Sequence, residues 1–486
     1  MNISYTTPDK LSNFVLHSSI QFVTIIHFTA RLFFLALLSN PFLMQGQDED
    51  VLFIKKIHDE ALTAGKAYPW LKELCTKHGG RIAGSPAYIG AASLTKDMLA
   101  SVKGVQSTLQ DCETSYWYRG SKEKVMLLDT KGRKTPLKAL SLGNSVATPA
   151  GGITAEVVEV KSLDEVESLG KEKIKGKIVF YNRPMDPTQI RTFNSYGGAA
   201  DQRVFGPSKA AEYGAVAAIV RSLTTSNDDF PHTGVTVYQD STQRIPGLAI
   251  STNDANMLSK KLAIGPVSMY IKTDCKTIGM RSAPTVIGEM KGSKYPEEIL
   301  LVGGHLDSWD VGQGAHDDGS GCVQAMEVLR IFSAIGYTPK RTIRAVLFSN
   351  EENGLAGGRT YAEVSNKKGE FHLAAMESDA GGFSPRGFSF EADTSVFKTY
   401  YKNVSKWLPV LESYGLIFEM GGSGADISPL KSQKGLLIGL RPDSQRYFDY
   451  HHTDNDLIQH VNRRELELGA AAMASLIYLI DKYGIK

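Results

Sequence analysis

The sequence predicts an α/β fold: a mostly parallel mixed sheet covered by helices on both faces, with a β-rich domain inserted into it. Three observations predict it. From about residue 298 onward, short apolar strand signals alternate with stretches of helical spacing, the pattern of successive βα units. Each of those strands runs into a polar cluster rich in Gly, His or carboxylate. Between Cys112 and Cys275 the texture differs, and strand-like runs dominate.

At 486 residues the chain has room for two or three domains. Its apolar share of 42% and charged share of 22% are those of an ordinary globular protein. A net charge of +2 gives no basis for nucleic acid or an anionic membrane as partner. Four cysteines are too few for a disulfide scaffold.

Residues 1–46 stand apart. Phe22–Phe28 and Leu32–Leu43 are apolar, Arg31 separates them, and polar GQDED follows. This reads as a secretory signal peptide or an N-terminal anchor. The apolar stretch is too short and interrupted for a membrane span, so the mature chain is expected to be exported, secreted or periplasmic, with no stable span after cleavage.

Helical spacing follows at Asp48–Ala64, with Val51, Ile54, Ile57 and Leu62 on one side, then at Trp70–His78 and Ala87–Val102. Gly79–Pro86 is a loop by its punctuation. Strand-like runs appear at Glu156–Val160, Lys177–Tyr181, Val216–Val220, Pro246–Ile250 and Val267–Ile271. Only short helical stretches separate them, such as Ser208–Tyr213 and Asn253–Leu262. The division expected is residues 47–115 with 276–486 as one domain and 116–275 as an insertion. His232 and Asp240 are its most suggestive polar residues, and a solvated loop accounts for both. Cys112 and Cys275 flank it; an exported chain could link them, and two separate buried thiols fit as well.

In the second half, strand Glu298–Val302 leads into Gly303-Gly304-His305-Leu306-Asp307. Asp317-Asp318 opens helix Gly319–Ala334. Strand Thr342–Ser349 ends in Asn350-Glu351-Glu352, and Leu373–Met376 in Glu377-Ser378-Asp379. Strand Leu436–Leu440 ends in Arg441, and Glu465–Tyr483 closes the chain as a helix. In parallel sheets, functional residues gather beyond the carboxyl ends of the strands. Taken singly, each of these residues has an ordinary structural explanation. Four strand ends carrying His and carboxylates in succession do not.

Mixed His and carboxylate ligands without thiolate suit zinc or a harder divalent ion in a catalytic site. Carboxylates can also bridge two metals. Adjacent Glu351 and Glu352 point in different directions at a strand end, so one can bind metal while the other acts as general base. Asp307 is placed to orient the His305 imidazole. Tyr450-His451-His452-Thr453-Asp454-Asn455-Asp456 is a further cluster, and His452 could complete the site.

HLDSWDVGQGAHDDGSG, SNEENGLAGG, ESDAGG and YHHTDND, in this order and spacing, resemble the M28 family of co-catalytic zinc peptidases. FPHTGVTVYQD and GGSGADISPL, with HLDSWDVGQGA, resemble its plasma glutamate carboxypeptidase branch in particular. The resemblance covers most of the chain from about residue 50. It implies two Zn2+ ions, with Asp317 as the bridging carboxylate. His305 and Asp379 match the remaining ligands of one ion, Glu352 and His452 those of the other. Glu351 matches the general base for a metal-bridging water, and Asp307 the carboxylate behind the first histidine. It further implies a cis peptide between Asp317 and Asp318, and a protease-associated domain for the insertion.

The expected activity is that of a metallopeptidase hydrolysing small peptides, unblocked dipeptides among them; dipeptidase, aminopeptidase and carboxypeptidase all remain open. Many relatives place Tyr before the last ligand; here His451 stands there, leaving it and the second zinc as oxyanion partners. Asp426, Arg441 and His232 are further candidates for substrate contact. The resembled branch forms homodimers, though no segment specifies an interface. Single-zinc glutaminyl cyclases and non-enzymatic receptor ectodomains share the fold, but both would be expected to lack part of the ligand set filled here.

Overall fold

A computed structural model describes residues 41–129 and 132–486, with side chains from residue 48. The leader expected over 1–46 lies outside them except for the backbone from Pro41, where helix Pro41–Ala64 begins. No helix among the described residues is long and apolar enough to cross a membrane. The chain divides after Phe53, and residues 54–486 form one compact unit. That unit is built on two eight-stranded sheets and a two-stranded ribbon.

The first sheet comprises β1 (Gln106–Gln110), β2 (Thr285–Met290), β3 (Tyr295–His305), β4 (Arg341–Phe348), β5 (Phe371–Glu377), β6 (Pro385–Glu391), β7 (Ile417–Met420) and β8 (Leu436–Pro442). Its order is β1-β2-β4-β3-β5-β8-β6-β7. The central four, β4-β3-β5-β8, are parallel. Antiparallel pairing of β2 with β4 and of β6 with β8 flanks them.

The parallel centre follows from near-continuous apolar runs, which must be covered on both faces. On one face Leu301, Val346, Phe348, Ala375 and Leu437 meet Tyr361 and Ala362 of helix Ala356–Lys368. Helices Ser320–Ala334 and Arg463–Tyr483 also pack on the sheet, and their apolar side chains are buried. Register then levels the strand ends. His305 pairs with Phe348, Gly303 with Glu377, and Glu377 with Gly439. The polar residues that follow β3, β4 and β5 are therefore brought to one edge.

The second sheet lies wholly within the expected insertion, between Lys124 and Lys272. It is not simply β-rich. Ile153–Val160, Ile178–Tyr181, Ala217–Arg221 and Gly247–Ile250 are consecutive parallel strands. Helices Leu163–Ile174 and Thr252–Leu262 accompany them, capped by the Ser162 and Ser251 hydroxyls. The physical reason is the burial of the strand cores: Ile178–Tyr181 and Ala217–Arg221 have no exposed residue.

At the neck, Glu113–Tyr118 pairs antiparallel with Lys276–Ser282. Cys112 precedes the end of this ribbon where Glu113 meets Ser282, and Cys275 the opposite end, where Lys276 meets Tyr118. The two are accordingly separate buried thiols, too far along the ribbon to bridge.

Candidate metal centre

The strand ends assemble a single buried cluster. His305 closes β3, and its ring Nδ1 lies 2.9 Å from the backbone carbonyl of Asp307. This turns Nε2 toward Asp317 Oδ1 at 3.3 Å and Asp379 Oδ1 at 3.6 Å. His452 Nε2 lies 3.2 Å from Asp317 Oδ2 and 3.1 Å from Glu352 Oε2. Its Nδ1 is 3.2 Å from the Thr233 carbonyl. Asp317 thus faces one imidazole with each carboxylate oxygen. His452 takes a left-handed backbone, φ 63°, to present its ring there.

Asp317 is held by its backbone. It sits in the turn Ala315–Gly319, ahead of helix Ser320–Ala334, with a non-helical backbone (φ -119°, ψ 95°), and its peptide bond to Asp318 is cis. The Asp456 carboxylate accepts the His316 N–H at 2.8 Å and the Asp317 N–H at 3.1 Å. Asp318 accepts from His305 N and Gly321 N, and one of its oxygens lies within 4.8 Å of ligand atoms of His305 and Asp379. His316 is stacked between Phe383 and Tyr450, and burial pushes its pKa down to about 3, so it is a neutral packing residue.

The Asp307 carboxylate has partners besides His305. It lies 3.8 Å from His305 Nδ1, while its own carbonyl holds the ring. Its oxygens accept the backbone N–H groups of Glu351 at 3.1 Å and Glu352 at 3.3 Å. Asp307 therefore ties the loop after β4 to the loop after β3.

The donor set fits a metal ion. His305, Asp317 and Glu352 offer ligand atoms within 4.8 Å of one another, as do Asp317, His451 and His452, and as do His305, Asp318 and Asp379. Asp317 Oδ2 and Glu352 Oε1 are buried without a hydrogen-bond donor. Burial, then the charge of Asp317, pushes the Glu352 pKa up to about 7. Burial, with Asp379, Glu352 and Asp307 alongside, likewise raises the Glu351 carboxyl well above the ordinary range. Buried carboxylates crowded in this way require cationic neutralisation, and two histidines do not supply it for the whole group.

A cavity of about 480 Å³ opens onto the cluster. Asp317, Glu351, Glu352, Asp379, His451 and His452 line its floor. Asn144, Phe193, Tyr196, Arg203, Val235 and Val237, all from the 116–275 segment, line it as well.

The four expected substrate contacts fare differently. His451 lines the cavity, stacked on His452, with Nε2 3.7 Å from Asp317 Oδ2. Burial, then the charge of His452, holds its pKa well below the usual histidine range. His232 is not at the mouth of the site; it is 1% exposed, behind the wall, because its loop is tied inward by the His232 N–H bond to Ser222 Oγ. Asp426 does not line the cavity either; it is buried near Glu377, with neither oxygen bonded. Arg441 opens onto a neighbouring cavity and donates to Ser389 Oγ and the Gly422 carbonyl.

Two arginines escape sequence reasoning. Arg81, in the Gly-rich loop, is fully buried and donates to the carbonyls of Leu306, Gln313 and Gly314 at 2.5, 2.7 and 2.9 Å. It fixes the loop that joins His305 to Asp317. Arg203 is the other, on the four-residue helix Asp201–Val204. Nothing in its local sequence sets it apart from a surface arginine.

A His/carboxylate cluster of this kind, at the carboxyl edge of a parallel sheet, defines a metal-dependent hydrolase. Comparison with known proteins takes the class further. The family description "Peptidase family M28" matches residues 285–477. Carboxypeptidase Q of Mus musculus is 34% identical over 418 residues, 85% of either chain, and that of Homo sapiens is 33% identical over 417 residues, again 85% of either chain. The solved structure of a peptidase M28 precursor from Shewanella amazonensis SB2B has a TM-score of 0.84 and 30% identity, covering 90% of this chain and 97% of its own. A zinc aminopeptidase from Bacillus subtilis shares the fold at a TM-score of 0.60 and 19% identity, with 86% and 95% covered. The chain belongs to peptidase family M28, a family of zinc peptidases, and is itself a peptidase.

Proposed function

We propose that this chain is an exported di-zinc peptidase that hydrolyses small peptides, unblocked dipeptides among them. One observation supports the reading above the others: Asp317 faces His305 with one oxygen and His452 with the other. A carboxylate so placed suits shared ligation of two ions. His305 and Asp379 would complete one set, Glu352 and His452 the other. Zinc supplies polarisation of the scissile carbonyl and acidification of water to near neutrality.

The remaining work belongs to the chain. The Glu351 carboxylate, on the cavity floor, takes the proton of the attacking water and returns it to the leaving amine nitrogen. Asp307 holds the Glu351 and Glu352 backbones in place for this. His451, kept neutral by burial, is available to donate to the developing oxyanion. The 116–275 segment, read as a protease-associated insertion, contributes Phe193, Tyr196 and Val235 to the cavity lining, where it would favour short substrates. Export rests on the leader-like composition of residues 1–46.

The test is hydrolysis of an unblocked dipeptide panel by the purified protein, before and after metal stripping and zinc return, with zinc counted per chain. Activity lost on stripping and restored at two equivalents supports the reading. Full activity at one equivalent removes the di-zinc claim, and no turnover with zinc bound removes the dipeptidase claim.

A further inference from the structure

Arg203 is a buried cation with almost nothing to bind. It is 4% exposed, yet it lines the cavity that holds the metal cluster. Among the described residues, no carboxylate oxygen comes within 4.0 Å of its guanidinium to form an ion pair. Nη2 donates to the Tyr196 hydroxyl at 2.6 Å. Nε is buried without a partner. Nη1 lies 3.5 Å from His452 Nδ1, but that nitrogen already faces the Thr233 carbonyl at 3.2 Å. If the Nδ1 proton goes to Thr233, it leaves no lone pair for Arg203.

A guanidinium carries five donors and stays charged, so burying it with one good acceptor is costly. The local backbone nevertheless makes room for it. Gly234, at φ +135°, lies against it, and a Cβ there would sit 2.5 Å from Arg203 Cζ. The Tyr196 ring packs alongside, 5.3 Å from Cζ. Asn144, Phe193, Val235, Val237 and Tyr447 complete the walls, and the carboxylates of Asp317, Glu351, Glu352 and Asp379 lie on the cavity floor, none forming an ion pair with the guanidinium. The other arginine of this cavity, Arg359, is exposed.

We infer that Arg203 is the anchor for the free α-carboxylate of the peptide substrate, which makes this a peptidase selective for a free C-terminus. The inference rests on the proposed peptidase reading and adds to it the end of the peptide that is recognised. A carboxylate accepts from two guanidinium nitrogens at once and supplies the missing counter-charge. Placement beside His452 puts this recognition next to the reacting centre, where only a short segment separates carboxylate from scissile bond. Arg203 comes from the 116–275 segment and the metal cluster from the sheet, so substrate binding would join the two.

The experiment compares Ala-Leu with Ala-Leu-amide as substrates of the zinc-loaded wild type, R203M and R203K. Binding of leucine and leucinamide is measured by calorimetry, with zinc content and Tm as controls. The wild type is expected to favour the free acid by about 100-fold in kcat/KM, the scale of a charged hydrogen-bond pair. R203M is expected to lose that preference, its loss on the free acid exceeding its loss on the amide, with zinc content unchanged and leucine binding lost; R203K recovers part of it. Equal losses on acid and amide, or a retained preference, would overturn the assignment and leave Arg203 a packing residue. If the wild type cleaves neither peptide, the peptidase substrate claim fails separately. Calorimetry then decides: leucine binding that R203M abolishes upholds the carboxylate site, and binding it leaves intact removes it.

Discussion

The Asp307 carboxylate accepts the backbone N–H of Glu351 at 3.1 Å. Its other oxygen holds the next N–H, that of Glu352. Asp307 is fully buried, so both contacts lie out of reach of water. Asp307→Asn replaces one acceptor by a donor that meets an N–H head on. The β4 loop then shifts, and Glu351 with it. We expect kcat to fall roughly 10- to 100-fold with KM changed less, the range for partners that orient a metal site. Steady-state kinetics with zinc counted per chain checks this, and an unchanged kcat would remove the positioning role.

In the proposed reaction Glu351 carries the proton, whereas Glu352 would be a ligand. Their amide variants should therefore differ in kind. Glu351→Gln is expected to lower kcat by about 10²- to 10⁴-fold while zinc stays bound. Glu352→Gln is expected to lower zinc affinity as well, because it removes charge beside His452 Nε2. Zinc titration of both variants separates the roles, and loss of zinc from Glu351→Gln would reverse the assignment.

Arg81 makes a stability prediction. Its three bonds to the Leu306, Gln313 and Gly314 carbonyls cross the loop between His305 and Asp317. Arg81→Met leaves the Leu306 and Gln313 carbonyls without this donor, while Gly314 keeps the Gly319 N–H at 3.1 Å, at a cost of about 3 kcal/mol. Arg81→Lys recovers little, since a single ammonium cannot span the three positions of a planar fork. Urea unfolding of the metal-stripped chain measures the cost; a midpoint unchanged in Arg81→Met would show that the loop holds itself.

His305, Glu351, Glu352 and Asp379 are readable in the sequence because apolar runs stop at them and Gly lies close by, so strand ends and polar groups coincide. Asp317 and His452 were readable through motif spacing. Arg81 was hidden because its Gly-rich loop reads as punctuation, and its three partners lie more than 200 residues away. Arg203 was hidden for the same reason, its neighbours Tyr196, Gly234 and His452 converging only in the fold. The parallel centre of the second sheet was hidden by short, fully buried strands, where periodicity carries no information on direction. Helix Leu163–Ile174 was missed because Gly170, at φ 64°, interrupts its pattern.

Glu327 carries a pH prediction away from the metal site. It is fully buried on helix Ser320–Ala334, bonded through both oxygens to Arg330 Nε and through one to the Lys66 N–H. Burial outweighs Arg330 and pushes its pKa up to about 7. The folded chain therefore holds this proton more tightly than the unfolded chain, whose glutamate titrates near 4.3. The stability that the proton confers is fully present below about pH 4 and is lost as pH rises toward 7 and just above. A shift of this size corresponds to about 4 kcal/mol. Glu327→Gln keeps an acceptor for Lys66 and Arg330 but removes the titration, so its stability should fall less between pH 5 and pH 8 than that of the wild type. Urea midpoints of the metal-stripped proteins at the two pH values measure the difference. Parallel wild-type and variant profiles would show that Glu327 is already ionised at pH 5, with Arg330 and Glu60, 2.7 Å from Arg330 Nη1, forming a fully charged network.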